Sequence, residues 1–220
     1  MHYDANTRDH GLAHDPFKAL VAPRPIGWIA TLGPDGVPNL APYSFFNAVS
    51  DRPPFVMFSS AGHKDSLRNV LATGEFSCSM ANWDLRDAMN LSSAAVAPGV
   101  DEFALAGLSA AASRFIKAPR VAQAPAALEC RLWKTLELPS AGTSTTYTLV
   151  FGQVVGIYID DRYIALGQVQ TAMMRPIARM GYMDYAVVGP DNAFTLNRPL
   201  ASADGQDASV QPGPWDGVYR

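Results

Sequence analysis

Apolar and polar residues alternate most regularly in two long stretches of this chain. Residues 127–138 read ALECRLWKTLEL, and residues 146–159 read TYTLVFGQVVGIYI. Alternation sustained over a dozen residues predicts strands with one buried face. The intervening residues 139–143 (PSAGT) predict a hairpin loop. Gly152 and Gly156 interrupt the second strand and predict bulges or close backbone approach, which a curved sheet needs. Three shorter segments carry the same period. Residues 26–32 (IGWIATL), the turn 33–36 (GPDG) and residues 37–47 predict a hairpin over 26–47, with Pro38 and Pro42 marking an edge or a bulge. Residues 55–59 and 76–80 predict two further strands. Helical spacing is short-ranged: Leu67, Val70 and Leu71 predict a helix over 66–73 closed by Gly74, and Leu85, Ala88 and Met89 predict another over 84–91. Residues 92–127 are rich in Ala, Ser and Pro, with short helical pieces expected at 101–106 and 109–113.

Five or six strands with few, short helices predict a mainly β fold, an antiparallel barrel with helical insertions. The βαβ rhythm of a parallel sheet is missing, and no repeat of 20–50 residues is visible. Three regions follow: an N-terminal arm over 1–22, a barrel domain over 23–188, and an extended tail over 189–220 rich in Pro, Gly, Asp and Ser.

Composition narrows the functional classes. Of the 220 residues, 48% are hydrophobic and 17% charged, enough for a sizeable core. The net charge of −3 gives no basic field for nucleic acid or an anionic membrane surface. No apolar run approaches the ~20 residues of a membrane helix, and residues 1–25 lack a signal-peptide core, so a cytoplasmic protein is expected. Cys78 and Cys130 sit in apolar alternating runs and are expected as reduced, buried thiols. His2, His10 and His14 lie in a polar arm without the companions of a metal site, and a frayed terminus is expected there.

The chain contains no G-x-G-x-x-G after a strand, no Walker lysine motif, no H-E-x-x-H and no G-x-S-x-G. What remains is residues 39–70. There a strand with Ser44, Phe45, Phe46 and Asn47 is followed by Ser59-Ser60-Ala61-Gly62-His63-Lys64-Asp65-Ser66 at a helix start. Hydroxyls, a lysine and free helix-start amides suit a phosphate; an ordinary loop with a solvated lysine and a serine cap explains them equally. The aromatic strand likewise suits either core packing or a flat heterocycle.

The ordered set of segments is more specific. RPIGWIAT, GVPNLAPYSFFNAVSDRPPFVMFS, HKDSLRNV, TGEFSCSM, MNLSSA, VDEFALAGL, FGQVVGI and RMGYMDY together resemble the flavin reductase-like family of FMN-binding split barrels, over roughly residues 20–187. The closest resemblance is to its longer bacterial members, namely flavin reductases, flavoredoxins and reductase components of two-component monooxygenases. The resemblance implies an antiparallel split barrel that dimerises, with FMN in a groove at the subunit interface. Carried over by position, Tyr43, Ser44, Phe45, Phe46, Asn47, Ala48, Val49 and Ser50 lie along the isoalloxazine ring and ribityl chain. Ser59, Ser60, His63, Lys64, Asp65 and Ser66 surround the phosphate. Asn90, Ser92 and the segment 179–185 give further contacts, the last covering the ring where a nicotinamide stacks. Shorter relatives carry an Asn-Ser pair where this chain has Ser44-Phe45. The implied activity is NAD(P)H-dependent FMN reduction, with NADH or NADPH as co-substrate, no catalytic side chain, and a flavin-dependent monooxygenase as one possible recipient. A non-enzymatic FMN electron carrier needs the same cradle. A barrel holding another ligand, such as haem or pyridoxal phosphate, is the third reading.

Overall fold

A computed structural model describes residues 1–140 and 144–218. A short helix, α1 (Phe17–Leu20), leads into strand β1 (Arg24–Pro25) and the hairpin β2 (Gly27–Leu32) and β3 (Pro38–Tyr43). A second hairpin follows, β4 (Phe46–Asp51) and β5 (Pro54–Ala61), then helix α2 (Asp65–Thr73) and strand β6 (Glu75–Met80). The connecting region holds α3 (Arg86–Leu91), α4 (Glu102–Leu105) and a minimal ladder of β7 (Ala110–Ala111) with β8 (Arg120–Val121). The long strands are β9 (Ala126–Leu138) and β10 (Tyr147–Ile159). Beyond them lie a small hairpin, β11 (Ile164–Ala165) and β12 (Gln168–Val169), then β13 (Ile177–Arg179) and β14 (Tyr185–Val187), and in the tail β15 (Leu200–Ala201) paired with β16 (Ala208–Ser209).

Seven strands form one antiparallel sheet in the order β3-β2-β6-β9-β10-β5-β4, and β1-β13-β14 form a three-stranded sheet beside it. The two end strands of the large sheet are consecutive in the chain, separated only by Ser44 and Phe45. The sheet is therefore curled until its ends meet. Across that join a Cβ on Gly27 of β2 would stand 2.5 Å from the Phe46 ring of β4, and the Tyr43 and Phe58 rings lie 4.8 Å apart. This is a mainly β, antiparallel split barrel with short helical insertions, as expected.

Curling has a local cause in β10. Its register against β9 shifts between Phe151 and Gly152 and between Val154 and Gly156, and both glycines admit a ring where a side chain would stand, Phe76 and Phe115 respectively. The core follows the period of two. Ile29 of β2 points into the barrel with Phe58, Phe76 and Val150, and α2 contributes Leu67 and Val70 there. Trp28 and Ala30 point the other way and pack with Leu40, Met89 and Phe103 beneath α3 and α4. Helix α2 ends where expected: Gly74 takes φ +73° and its N–H donates to the Val70 carbonyl at 2.8 Å.

Three expectations are corrected. The strand expected over 37–47 breaks at Ser44-Phe45, because the chain must cross from one end of the sheet to the other. Residues 109–113 are not helical; Ala110 and Ala111 pair with Val121 and Arg120. The end of the N-terminal arm next to the barrel, residues 18–21, is docked rather than frayed: the Arg24 guanidinium donates to the carbonyls of Lys18, Val21 and Met180, and Ala19 packs on Gly181. The hairpin loop expected over 139–143 includes 141–143, which lie outside the described residues. Cys78 and Cys130 are free and buried, as expected. Burial pushes the Cys78 thiol up to about 12 and the Cys130 thiol well above its ordinary value.

Candidate functional site

The corner 43–46 connects two surfaces. Side chains alternate through it: Tyr43 is buried against Phe58 inside the barrel, while Ser44 opens onto a groove outside. Phe45 is half-buried, 6.0 Å from the centre of the Arg24 guanidinium, and Phe46 lies over Gly27. Asn47, Ala48, Val49 and Ser50 are exposed along β4. Because β4 is an end strand paired only with β5, the N–H and C=O groups of its other edge are not used by a ladder among the described residues. The Asn47 side chain accepts from the Ala48 amide at 2.9 Å, and the Ser50 hydroxyl donates to the Pro53 carbonyl at 2.5 Å.

On the other side of Tyr43 lies the segment 59–66. Ser59, Ser60 and Ser66 are buried. The Ser60 hydroxyl donates to the Gly62 carbonyl at 3.1 Å, and Ser66 accepts from the Asn39 side-chain amide at 2.9 Å. The Tyr43 hydroxyl is enclosed beside them without meeting hydrogen-bond geometry to either, and burial raises its pKa. His63 and Lys64 are exposed. The Lys64 ammonium lies 6.0 Å from the Tyr43 ring centre, and no ion pair engages it among the described residues. Lys64 is also the extended N-cap of α2 and makes no side-chain cap, which leaves the first-turn amides without one. Asp65 pairs with Arg68 at 2.6 Å.

The groove outside Ser44 measures about 710 Å³, within the range of small-molecule sites. It runs between the β1-β13-β14 sheet and α3. Asn90, Trp83, Tyr182 and Tyr185 line it, together with Lys18, Arg24, Arg86 and Arg179. Arg86 stacks over Trp83 at 4.2 Å and Arg179 over Tyr185 at 4.6 Å. Arg179 also donates to the Tyr185 hydroxyl at 2.6 Å and to the Tyr182 carbonyl. Ser92 stands apart from the groove: its hydroxyl accepts from the Trp28 indole at 2.9 Å and donates to the Met89 carbonyl at 2.8 Å, deep in the core.

The sixteen residues singled out from sequence thus divide into a corner, a helix start and two positions on or under α3. Sequence reasoning did not single out Lys18, Arg24, Trp83 or Arg86 as site residues. Their signal in the chain is weak, since the four cations of the groove are spread from Lys18 to Arg179. No group of three or more His, Cys, Asp or Glu placed to hold a metal ion occurs among the described residues.

Known proteins resemble this chain in sequence and fold. The family described as the flavin reductase like domain matches residues 20–172. A protein of Aquifex aeolicus is 37% identical over 168 residues, covering 74% of this chain and 83% of its own. Nitrilotriacetate monooxygenase component B from Bacillus cereus superposes with a TM-score of 0.79 at 30% identity, over 89% of this chain and 98% of that one. The 2-nitrobenzoate 2-nitroreductase NbaA of Pseudomonas fluorescens gives 0.78 at 26% identity, over 92% and 100%.

Proposed function

This chain belongs to the flavin reductase-like family, and from that membership we propose that it is an NAD(P)H-dependent FMN reductase. Family and neighbours support a flavin-related redox function. The observation that carries the finer reading is the corner 43–46, which sets an open strand edge, an uncapped helix start and an aromatic, cationic groove side by side.

The residues present fit a flavin mononucleotide. The free edge of β4 offers backbone donors and acceptors to a heterocycle, and Phe45 gives it an apolar neighbour on the groove side. At the other end the positive pole of α2, its first-turn amides, Lys64 and His63 suit a phosphate. The hydroxyls of Ser60 and Ser66 are turned into the protein, so their part is to hold the Gly62 carbonyl and the Asn39 side chain in place. When bound, the flavin supplies the hydride and electron chemistry. The protein's part is orientation and electrostatics. Edge amides of β4 would stabilise negative charge near the ring, and Trp83, Tyr182 and Tyr185 offer flat faces on which a nicotinamide would stack in the groove. No side chain has to take or give a proton.

Anaerobic mixing of the flavin-loaded protein with NADH or NADPH tests this reading. Bleaching of the flavin band with either donor is expected. Absence of bleaching with both would refute the reductase and leave an electron carrier.

The same reading includes a homodimer. It is supported by an apolar aromatic row on the outer face of β5, β9 and β10, where Trp133 is 63% exposed between Phe55 (5.4 Å) and Phe151 (6.2 Å). Delivery of reduced flavin to a monooxygenase component is supported by the likeness to nitrilotriacetate monooxygenase component B. A cytoplasmic setting suits two buried, unpaired thiols; no helix among the described residues is long and apolar enough to cross a membrane.

A further inference from the structure

We propose that Arg24 and Arg179 form the anion anchor of the groove, so that the second reactant is a planar aromatic or heteroaromatic molecule carrying a phosphate or a carboxylate. The role of second reactant rests on the flavin reductase reading; the binding of an acidic ring does not.

Charge is the first argument. Lys18, Arg24, Arg86 and Arg179 line the groove with a single carboxylate, Asp87. Asp87 is committed to Arg86 at 3.4 Å. Three cations therefore face a cavity in a protein whose net charge is −3.

Burial is the second argument. Arg24 is only 6% exposed. Its terminal nitrogens reach three backbone carbonyls, yet its Nε–H has no partner among the described residues, and no carboxylate pairs with it there. Carbonyl dipoles orient a guanidinium but do not neutralise it, and a buried charge without a counter-charge is costly. Burial lowers the Arg24 pKa, and repulsion from Arg179, its directly opposed neighbour on the β1–β13 ladder, lowers it further, so the two cations sense one another on one wall of the groove. An anion seated between them relieves both effects.

Preorganisation is the third argument. Arg179 is held by the Tyr185 hydroxyl, the Tyr182 carbonyl and the Met183 sulfur, none of which carries charge. Its fork is fixed before a ligand arrives, which suits planar recognition of a carboxylate or phosphate. Trp83, Tyr182 and Tyr185 supply flat walls for an attached ring. Ser44 places the far end of the groove at the proposed flavin corner.

Two kinds of molecule have this chemistry: a nicotinamide dinucleotide, through its pyrophosphate, and an aromatic carboxylate. Calorimetric titration of the full chain, both flavin-free and flavin-loaded, separates them. The probes are NADH, NADPH, the phosphate-free dihydronicotinamide riboside, and benzoate. At least one of the phosphate- or carboxylate-bearing probes is expected to bind about tenfold or more tighter than the riboside, the usual worth of a charge-assisted contact. That preference should collapse to about twofold or less in Arg179→Gln, at a half-buried position of β13, and in Arg24→Gln, each variant being checked for native circular dichroism. Preference for NADH or NADPH assigns the dinucleotide; preference for benzoate alone assigns the aromatic acid. Equal affinity for the riboside and every acidic probe would overturn the proposal, as would a preference that survives Arg179→Gln. A retained preference in a protein that NAD(P)H fails to bleach would refute the reductase reading alone.

Discussion

Glu102 lies buried beneath β3, where its Oε2 accepts the Leu40 amide proton at 2.9 Å. Burial raises its pKa above the ordinary 4.5, against the opposing pull of that hydrogen bond. The folded state therefore binds the Glu102 proton more tightly than the unfolded state does. This contribution to stability is fully present below pH 4.5 and is lost as pH rises through the raised folded value. Glu102→Gln keeps an acceptor for Leu40 and removes the ionisation. Its urea midpoint should vary less with pH than that of the wild type from pH 4.5 upward; parallel profiles would show that Glu102 does not drive the dependence. At the other surface Lys64 has no ion pair among the described residues. Lys64→Ala should weaken FMN binding by about 1–3 kcal/mol in a flavin titration. An unchanged affinity would make it a solvated surface charge.

At the scale of elements, the join at the barrel wall depends on a missing side chain. Gly27→Ala would drive a Cβ to 2.5 Å from the Phe46 ring, displacing the strand that leads the proposed flavin edge. A loss of about 1–3 kcal/mol is expected in urea unfolding, typical of overpacking, together with weaker flavin binding. Wild-type values in both assays would show that Phe46 moves aside freely. The strands themselves were legible because one face of each is buried: 76–80, 127–138 and 146–159 alternate for that reason, and the bulges at Gly152 and Gly156 followed from glycines in a strand. The break at Ser44-Phe45 was not legible, since its one local mark, the adjacent apolar pair Phe45-Phe46, is explained equally by a bulge in one continuous strand. The inward turn of Ser60 and Ser66 was equally hidden. A serine that satisfies a loop carbonyl or a buried Asn39 looks the same in sequence as one that meets a phosphate.

For the whole molecule, segment order carried what local pattern could not. Period and composition led to an antiparallel barrel, and only the ordered resemblance over 20–187 led to a flavin. The rest of the groove escaped both, because Lys18, Arg24, Trp83 and Arg86 join Asn90 and the segment 179–185 only after β1 pairs with β13 and α3 packs alongside. The proposed homodimer would cover the exposed Trp133 row. Trp133→Glu places a charge in that row and should convert a dimer to a monomer in sedimentation. A wild type that already sediments as one chain would exclude the homodimer.

The meeting of β3 and β4 also sets where the barrel is mechanically soft. Every other pair of neighbours around the wall is riveted by ladder hydrogen bonds, so widening it elsewhere breaks several at once. Between β3 and β4 no ladder exists among the described residues; the two edges are linked by two residues of chain and pressed together by Phe46 on Gly27 and Tyr43 on Phe58. Side-chain contacts of this kind yield gradually with distance. The compliant line of the wall therefore runs through the corner between the strand edge, the helix start and the groove, and a ligand can strain it there while the rest of the cylinder stays rigid.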